Sequence, residues 1–476
     1  MTLAPTVDPT DLAAVGAAVG SPAIGVRSSG CPHPIGLRHV VIGPDAIDQL
    51  APITARLSRP GPVGVVMDRV PMLRGATDLK PDVLRRLAGL GDVRPIWIGA
   101  AGEPVHADRA TIDAARSAIA GLGSIVAVGS GTICDIAKEL ANSDDLPCIV
   151  VQTACSVNAF SDDMAVLLVN GVKRTVPSRW PDALVVDLEV IAAAPRRMNQ
   201  AGVGEVVSMF TAPADWRLAS AVGMDDSYDE RVVRLFRDGG PSLQIAAPGV
   251  GVADPAALQS LCELMTLTGL ALGIAGRTAP LSGTEHTVSH LLDMAAARSG
   301  RSADLHGAQV GVATLAVAVA WRRLLDELDP ERLLARPAVD PAQMRRRIGS
   351  AFDRLDPSGA MAEECWRAYS TKLARWTSRP EAIRSFVATW DATRAELTGL
   401  LGDPTAIAAT LRSAGAPATF AELEPAVDRE AAVWALLNGH LIRDRFTMAD
   451  LAWFSGLWDA ERVASAIDTA AGLAAS

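Results

Sequence analysis

Short runs of β-branched and aliphatic residues recur between residues 38 and 190, and helix-like segments such as 79–91 and 107–121 separate several of them. Strands that alternate with helices typically form a parallel, wound sheet, because each helix carries the chain back across a face of that sheet. The pattern therefore predicts an α/β fold for this part of the chain. The runs are HVVIG, PVGVVMD, RPIWIG, SIVAVG, CIVVQ, MAVLLV and ALVVDL.

Beyond about residue 195 the β-branched runs nearly vanish, and long segments rich in Ala, Leu and Arg with helical spacing continue to Ser476. A chain of 476 residues also exceeds the usual size of one domain. Residues 1–30 are rich in Ala, Pro, Gly and Ser without a clean period, which favours a loosely ordered extension. We predict an α/β domain over residues 31–194 and an all-α domain over residues 195–476.

Charge and composition narrow the class of ligand. The formal net charge is −10, whereas a nucleic-acid surface needs clustered Lys and Arg to displace counterions from phosphates. The N-terminus lacks the basic region of a signal peptide, and apolar stretches such as VGVATLAVAVAW are too short to span a bilayer. The six cysteines show no paired metal or redox spacing. We expect a soluble cytoplasmic protein that binds a small molecule, with no nucleic-acid partner and no membrane span.

The segment VAVGSGTICDIAKELA, residues 126–141, places a Gly-Ser-Gly-Thr turn between a strand-like run and a helix-like one. Such a turn presents backbone N–H groups at the positive end of a helix dipole, where a pyrophosphate can bind. Gly129 and Gly131 would allow close backbone approach, and the Thr132 hydroxyl adds a donor. Because the spacing matches neither the Rossmann fingerprint nor a Walker loop, a turn without a ligand is an open alternative on these letters.

Three of the seven histidines lie within residues 282–315. His286 and His290 are four residues apart and share a helix face, and His306 follows a Gly/Ser-rich loop. Two histidines and a carboxylate would suit a catalytic zinc ion, ferrous iron or nickel, and Glu205 is a candidate carboxylate at a glycine-flanked helix start. Histidines that line a polar groove, and an acid that complements a helix dipole, explain the same residues without a metal.

Six segments of the chain, in this order, carry a resemblance to a known family: VGSGTICDIAKELA, NGVKRTVPSRWPDALVVDLEVIAAAPRRM, GVGEVVSMFTAPADWRLA, SGTEHTVSHLLDM, LHGAQVGVATL and LLNGHLIRDRFTMADLA. Together they resemble the sn-glycerol-1-phosphate dehydrogenases, a family within the superfamily of metal-dependent alcohol dehydrogenases and dehydroquinate synthases. The resemblance runs from about residue 38 to 455. It implies a dehydroquinate synthase-like fold, shared with iron-containing alcohol dehydrogenases, with an N-terminal nicotinamide-binding α/β domain and an all-α metal-binding domain.

The resemblance also implies a set of cofactor-binding residues for NAD or NADP. Residues 129–132 would cradle the pyrophosphate, and Asp135 would shape the turn. Thr153 and Ser156 would approach the nicotinamide half, and Asp68 could meet the adenosine ribose. The full set is Asp68, Gly129, Ser130, Gly131, Thr132, Asp135, Thr153 and Ser156.

For the metal, the resemblance implies Glu205, His286 and His306 as ligands, with zinc expected first and iron or nickel as alternatives. His290, one helical turn on, would be a polar neighbour that supplies a proton, and Asn158 would contact substrate or cofactor. The implied reaction interconverts sn-glycerol 1-phosphate and dihydroxyacetone phosphate, or a related phosphorylated alcohol and ketone. We also expect a homo-oligomer, a dimer or larger.

Three positions depart from the family pattern. Glu205 stands where these dehydrogenases typically have Asp, Asn158 replaces an Asp within SVNA, and Met209 lies near the place of a common Lys. The lost charges bear on substrate recognition, since Lys and Arg are the usual partners of phosphate. Glu205 also suits the alternative function, a dehydroquinate synthase-like lyase or cyclase that recycles its bound NAD. A catalytically weak descendant kept for binding is a third reading.

Overall fold

The computed structural model describes residues 7–22, 32–103, 105–169, 172–335 and 339–476. These residues pack into two compact units. The first unit comprises the described residues of Met1–Val206, Asp229–Thr278 and Ser413–Ala416. The second comprises those of Val207–Tyr228, Ala279–Arg412 and Pro417–Ser476. Helices beyond residue 195 thus contribute to the first unit, and the expected domain boundaries stay a prediction.

The described residues form ten strands and twenty-two α-helices, joined by short 3₁₀ turns. The strands are β1 His39–Gly43, β2 Val63–Met67, β3 Leu73–Arg74, β4 Thr77–Asp78, β5 Val93–Trp97, β6 Ser124–Gly129, β7 Cys148–Gln152, β8 Met164–Val169, β9 Val172–Pro177 and β10 Ala183–Asp187. The helices up to residue 298 are α1 Leu12–Val19, α2 Leu50–Leu57, α3 Leu79–Leu87, α4 Arg109–Ala115, α5 Gly131–Ser143, α6 Leu188–Ala193, α7 Arg196–Val206, α8 Ala212–Ala221, α9 Glu230–Arg237, α10 Gly240–Gly251, α11 Pro255–Ala275 and α12 Thr284–Arg298. The later helices are α13 His306–Glu327, α14 Arg332–Ala335, α15 Pro341–Phe352, α16 Ala360–Thr377, α17 Pro380–Ala388, α18 Trp390–Leu400, α19 Pro404–Ser413, α20 Arg429–Asn438, α21 Met448–Ser455 and α22 Ala460–Ala475.

Six strands form one parallel sheet in the order β1-β10-β7-β6-β2-β5. Strands β2, β6, β7 and β10 are buried along their whole length, as expected for a parallel sheet with both faces covered. Val65, Val126 and Ile149 from the sheet share one apolar core with Leu50 of α2 and Val83 of α3. The predicted wound α/β fold is confirmed, and six of the seven predicted runs are strands of this sheet.

The seventh run, MAVLLV, is strand β8, but the expectation that it joins the parallel sheet is wrong. It pairs antiparallel with β9, from Met164↔Pro177 to Val169↔Val172. The sequence between the paired strands is Asn170-Gly171, the dipeptide most typical of a two-residue hairpin turn. This hairpin signal is therefore present in the sequence, and it outweighs the alternation of strands and helices around it.

Part of the expected N-terminal extension is a packed helix. The Asp11 side chain caps α1 by accepting a hydrogen bond from the Ala14 N–H, and Gly20 ends the helix in the left-handed conformation. Val15 and Val19 are fully buried, and α1 packs on α9 within the first unit. Residues 1–6 and 23–30, which complete the expected extension, lie outside the described residues.

The second unit is helical throughout its described residues, which confirms the helical C-terminal part. Its helices α12 and α13 pack side by side and carry the three clustered histidines of the sequence. Among the described residues, two helices are long and apolar enough to cross a membrane, α11 in the first unit and α13 in the second. Their most apolar windows are 83% and 89% buried inside the protein, which is typical of core helices.

Candidate active site

A cavity of ≈ 810 Å³ opens in the first unit at the carboxyl ends of the adjacent strands β2 and β6. The chain leads from β2 outward to the edge strand β5, and from β6 in the opposite direction to β7. Loops that diverge in this way form the crevice where doubly wound sheets bind ligands. Asp68 after β2, Ser130 and Thr132 after β6, and Thr153 after β7 all line this cavity.

The Gly-Ser-Gly-Thr turn joins β6 directly to α5. Ser130 occupies the N-cap position of α5, and its side chain makes no capping hydrogen bond. The first N–H groups of a helix lack intrahelical partners, so this helix start can donate to an anion in the cavity. Gly129 is required by packing, because a Cβ there would lie 2.5 Å from Ile133 Cβ. At Gly131 a Cβ would lie 2.9 Å from a Val157 methyl carbon.

Asp68, the expected ribose contact, lines the cavity and is paired with a lysine. Its carboxylate is 3.0 Å from Lys80 Nζ and accepts a hydrogen bond from the Val70 N–H at 3.0 Å. Arg69, which also lines the cavity, places its guanidinium carbon 4.9 Å from the centre of the Trp97 ring. The carboxylate is therefore partly neutralised at this end of the cavity.

Thr153, Ser156 and Asn158 lie in the segment that follows β7. The Thr153 N–H donates to the Gly129 carbonyl at 3.2 Å, which ties this segment to the glycine turn. Ser156 and Asn158 are buried, and the described lining of the cavity includes neither of them. The Asn158 carbonyl instead lies against Gly269 of α11, where a Cβ would approach to 2.4 Å. The fold thus brings Thr153 to the cavity, whereas the other two are buried outside its described lining.

Asp135 lies on α5 in a buried ion cluster and is not among the described residues that line the cavity. Lys138 Nζ lies 2.9 Å from Asp162 Oδ1 and 3.7 Å from Asp135 Oδ1, and it donates to the Ala159 carbonyl at 2.8 Å. Burial raises the pKa of Asp135 to about 7, although the Lys138 ammonium opposes the shift. Burial likewise raises the pKa of Asp162. Asp135 and Asp162 thus share one ammonium that joins α5 to the start of β8.

Glu205 lies in the last turn of α7 and not at a helix start, so that part of the prediction is wrong. Gly202, one of the glycines that suggested a start, serves packing, because a Cβ there would lie 1.9 Å from the Cys155 carbonyl oxygen. Only 2% of Glu205 is exposed, within the first unit. Met209 belongs to the 3₁₀ turn Val207–Phe210 of the second unit and is fully buried.

The second unit brings the three histidines of the predicted metal region together. The ring centres of His286 and His306 are 5.2 Å apart, those of His290 and His306 are 5.2 Å apart, and those of His286 and His290 are 6.4 Å apart. His286 and His290 lie on α12 and are buried, and His306 begins α13. Three imidazoles at this spacing are a donor set that suits a divalent transition metal.

His286 and His306 each have a hydrogen-bond partner at Nδ1. The Glu285 carboxylate lies 3.0 Å from His286 Nδ1, and the Ser289 hydroxyl lies 2.7 Å from His306 Nδ1. Histidines that bind metals usually hold their second ring nitrogen in this way, so the arrangement fits a metal centre. Glu285 and Ser289 carry no sequence signal of their own, although both stand within SGTEHTVSHLLDM beside the histidines.

A second possible set of ligands shares His306. Ligand atoms of His290, Asp293 and His306 lie within 4.8 Å of one another in the second unit. Asp293 Oδ1 also accepts a hydrogen bond from Gln309 Nε2 at 3.0 Å. Asp293 therefore links the histidine cluster to α13 in addition to any ligand role.

A separate buried ion cluster in the second unit involves LLNGHLIRDRFTMADLA. Asp450 Oδ1 lies 2.8 Å from His440 Nδ1 and 2.9 Å from Lys372 Nζ, and Lys372 also donates to the His440 carbonyl at 2.6 Å. Burial lowers the pKa of His440 to about 4, although Asp450 opposes the shift. The cluster joins α16 to the start of α21, which explains why this segment carries charged residues inside the protein.

Comparisons with known proteins show which enzymes the chain resembles in sequence. A sequence model for iron-containing alcohol dehydrogenase matches residues 41–195. A glycerol-1-phosphate dehydrogenase [NAD(P)+] of Bacillus licheniformis is 26% identical over 428 residues, which cover 87% of this chain and 88% of that protein. The chain is therefore similar over most of its length to a glycerol-1-phosphate dehydrogenase. The corresponding protein of Bacillus subtilis is 28% identical over 328 residues, 68% of each chain, and that of Methanosarcina mazei is 32% identical over 208 residues, 43% of this chain and 57% of that protein.

Solved structures show the same fold. A probable glycerol dehydrogenase from Sinorhizobium meliloti superposes with a TM-score of 0.57 at 19% identity, covering 92% of this chain and 97% of that one. Glycerol dehydrogenase from Schizosaccharomyces pombe gives a TM-score of 0.56 at 15% identity, covering 92% and 89%. This chain therefore has the fold of these dehydrogenases, which confirms the predicted fold class.

Proposed function

We propose that the protein is a metal-dependent NAD(P) oxidoreductase that interconverts sn-glycerol 1-phosphate and dihydroxyacetone phosphate. The observation that supports this substrate is the similarity over 428 residues to the Bacillus licheniformis enzyme. The cavity at the diverging ends of β2 and β6 supports the cofactor, since its size and position suit a dinucleotide.

The cofactor's pyrophosphate would accept hydrogen bonds from the N–H groups at the start of α5, at residues 129–132. The Ser130 and Thr132 side chains line the cavity and would add hydroxyl donors. Asp68, which is paired with Lys80 and lines the cavity together with Arg69, would meet the adenosine ribose. A carboxylate favours the ribose hydroxyl of NAD, and a nearby Arg accommodates the phosphate of NADP, so this set suits both cofactors.

Glu205, His286 and His306 would hold the divalent ion, zinc first, with iron or nickel as alternatives. The donor chemistry of one carboxylate and two imidazoles supports this assignment, as do the Nδ1 partners of the two histidines. When bound, such an ion polarises a substrate carbonyl. His290, whose ring centre is 5.2 Å from that of His306, would move the proton at the reacting oxygen.

Ser156 would approach the nicotinamide half of the cofactor, and Asn158 would contact substrate or cofactor; both are buried in the first unit. We further propose a cytoplasmic location and a homo-oligomer, a dimer or larger.

The deciding experiment follows NADH and NADPH absorbance with dihydroxyacetone phosphate, and with dihydroxyacetone as the non-phosphorylated control. We expect net oxidation of the reduced cofactor that needs the phosphate, is lost after a chelator and returns with Zn²⁺. A cyclase would consume no cofactor overall, so a product without net oxidation would support the alternative function. Turnover of dihydroxyacetone alone would rule out the phosphorylated substrate.

A further inference from the structure

His286 is held by a carboxylate that is itself fixed on every side. Glu285 is fully buried, and its Oε1 accepts a hydrogen bond from the Gly283 N–H at 2.6 Å. Its Oε2 accepts from the Thr211 hydroxyl at 2.9 Å. A Cβ at Gly283 would lie 2.5 Å from Asp215 Oδ2 and 3.0 Å from Glu285 Oε2, so only glycine fits between these two acids. Glu285 therefore has one position in the folded unit.

This fixed carboxylate decides where the His286 proton lies. A carboxylate oxygen only accepts hydrogen bonds, so the His286 Nδ1 at 3.0 Å must carry the hydrogen that it donates to Oε1. In a neutral imidazole the lone pair then lies on Nε2. His286 is thus locked in the form that presents Nε2 as a metal ligand.

His306 reaches the same form through a hydroxyl and an amide. Gln309 Nε2 lies 3.0 Å from Asp293 Oδ1 and 3.0 Å from the Asp304 carbonyl, and both of these are acceptors. The amide nitrogen must face them, which fixes the Gln309 oxygen on the other side. That oxygen lies 3.2 Å from the Ser289 hydroxyl.

A serine hydroxyl has a single hydrogen to donate. Since the Gln309 oxygen can only accept, Ser289 donates its hydrogen there and accepts from His306 Nδ1 at 2.7 Å. The chain of donors runs from His306 through Ser289 and Gln309 to Asp293. The lone pair of His306 therefore also lies on Nε2.

We propose that Glu285 and the Ser289–Gln309 pair are positioning residues that preset His286 and His306 to bind a divalent cation through Nε2. The proposal rests on the metal centre of the proposed function and goes beyond it, because it assigns roles to three residues outside the ligand set. Groups that hold metal-binding histidines in this way typically contribute 10- to 100-fold to metal affinity.

The test measures Zn²⁺ affinity of the full chain by competition with a chromophoric chelator, together with the Co²⁺ absorption spectrum. We expect Ser289→Ala and Glu285→Gln to weaken Zn²⁺ binding by about 10- to 100-fold. Gln309→Met keeps Ser289 but removes its acceptor, so the hydroxyl can donate to His306 Nδ1. This variant should weaken Zn²⁺ binding and change the Co²⁺ spectrum while the Ser289 side chain remains in place.

Ser455→Ala is the matched control. It removes another buried hydroxyl of the second unit, one that donates only to the Ala452 carbonyl, and it should leave Zn²⁺ affinity at the wild-type value. Circular dichroism identifies any variant that fails to fold, and Gln309→Met tests the same donor chain if Ser289→Ala does not fold.

His286→Ala separates this proposal from the proposed function. If His286→Ala loses Zn²⁺ but Glu285→Gln, Ser289→Ala and Gln309→Met bind it like wild type, the positioning roles are refuted and the metal centre stands. If His286→Ala binds Zn²⁺ like wild type, the ligand set itself fails, and the positioning roles fail with it.

Discussion

Adding a single methyl group at Gly129 should show whether the turn after β6 binds the cofactor or only connects a strand to a helix. In Gly129→Ala the new Cβ would lie 2.5 Å from Ile133 Cβ and 2.8 and 2.9 Å from its two γ-carbons. Carbon atoms pack best at about 3.5–4.0 Å, so the first turn of α5 must shift by roughly 1 Å. Overpacking of this kind costs about 1–3 kcal/mol of stability.

The same shift moves the N–H groups that would bind the pyrophosphate. Hydrogen bonds to charged groups contribute about 1.5–3 kcal/mol each, and every 1.4 kcal/mol is about tenfold in affinity. Losing one of them should raise the Kd for NADH by about 10- to 100-fold. Titration of NADH fluorescence measures this Kd, and urea denaturation measures the stability of the same samples.

Gly89→Ala is the matched control, because a Cβ at Gly89 meets no atom within 4 Å. It should leave both the Kd and the stability close to wild type. If Gly129→Ala loses stability but binds NADH with the wild-type Kd, the turn does not bind the cofactor. That result would mean that the turn only connects β6 to α5.

Two further predictions concern the buried ion clusters. Lys138→Met should lower the free energy of unfolding by about 3–5 kcal/mol, because it leaves Asp162 buried without its cation, and Lys138→Met/Asp162→Leu should recover most of that loss. Chemical denaturation at pH 7 checks both variants, and an unchanged stability of Lys138→Met would contradict the role of the cluster. For His440, whose pKa is lowered from 6.5 to about 4, unfolding takes up a proton between these values. The free energy of unfolding should therefore fall by up to about 3 kcal/mol as the pH drops from about 6.5 to about 4. In urea titrations over that range, His440→Asn should show a smaller loss than the wild type. An equal loss in both proteins would contradict a buried neutral histidine.

The strands could be located from the sequence because buried parallel strands form continuous apolar runs. Which strands pair with each other could not be predicted in the same way, because pairing depends on contacts between residues far apart in the chain. The exception was β8, where Asn170-Gly171 gave a local hairpin signal that the regular alternation of strands and helices concealed. For β8, the local turn signal therefore predicts the pairing better than the wider alternation of strands and helices.

The histidines of the candidate site could be predicted, but their neighbours could not. His286 and His290 share a helix face by spacing alone, whereas Ser289 and Gln309 meet only because α12 packs on α13. For Glu205 the local sequence predicted the wrong position in its helix. Gly202 and Gly204 suggested a helix start, yet Gly202 is small because α7 packs on the Cys155 carbonyl. A glycine can mark a close contact as readily as a helix boundary.

The first unit is built from three stretches of chain, and this has a consequence for synthesis on the ribosome. All six strands of its sheet have been made once residue 187 is joined, but α11, which packs on β1, α6 and α7, comes only after Val207–Tyr228 of the second unit. The segment Ser413–Ala416 comes later still, and Gly251 packs against the Ala414 carbonyl. A nascent chain that stops at residue 206 would leave the surface covered by α11 exposed. The first unit can therefore complete its packing only late in translation, and a fragment ending at residue 206 should aggregate.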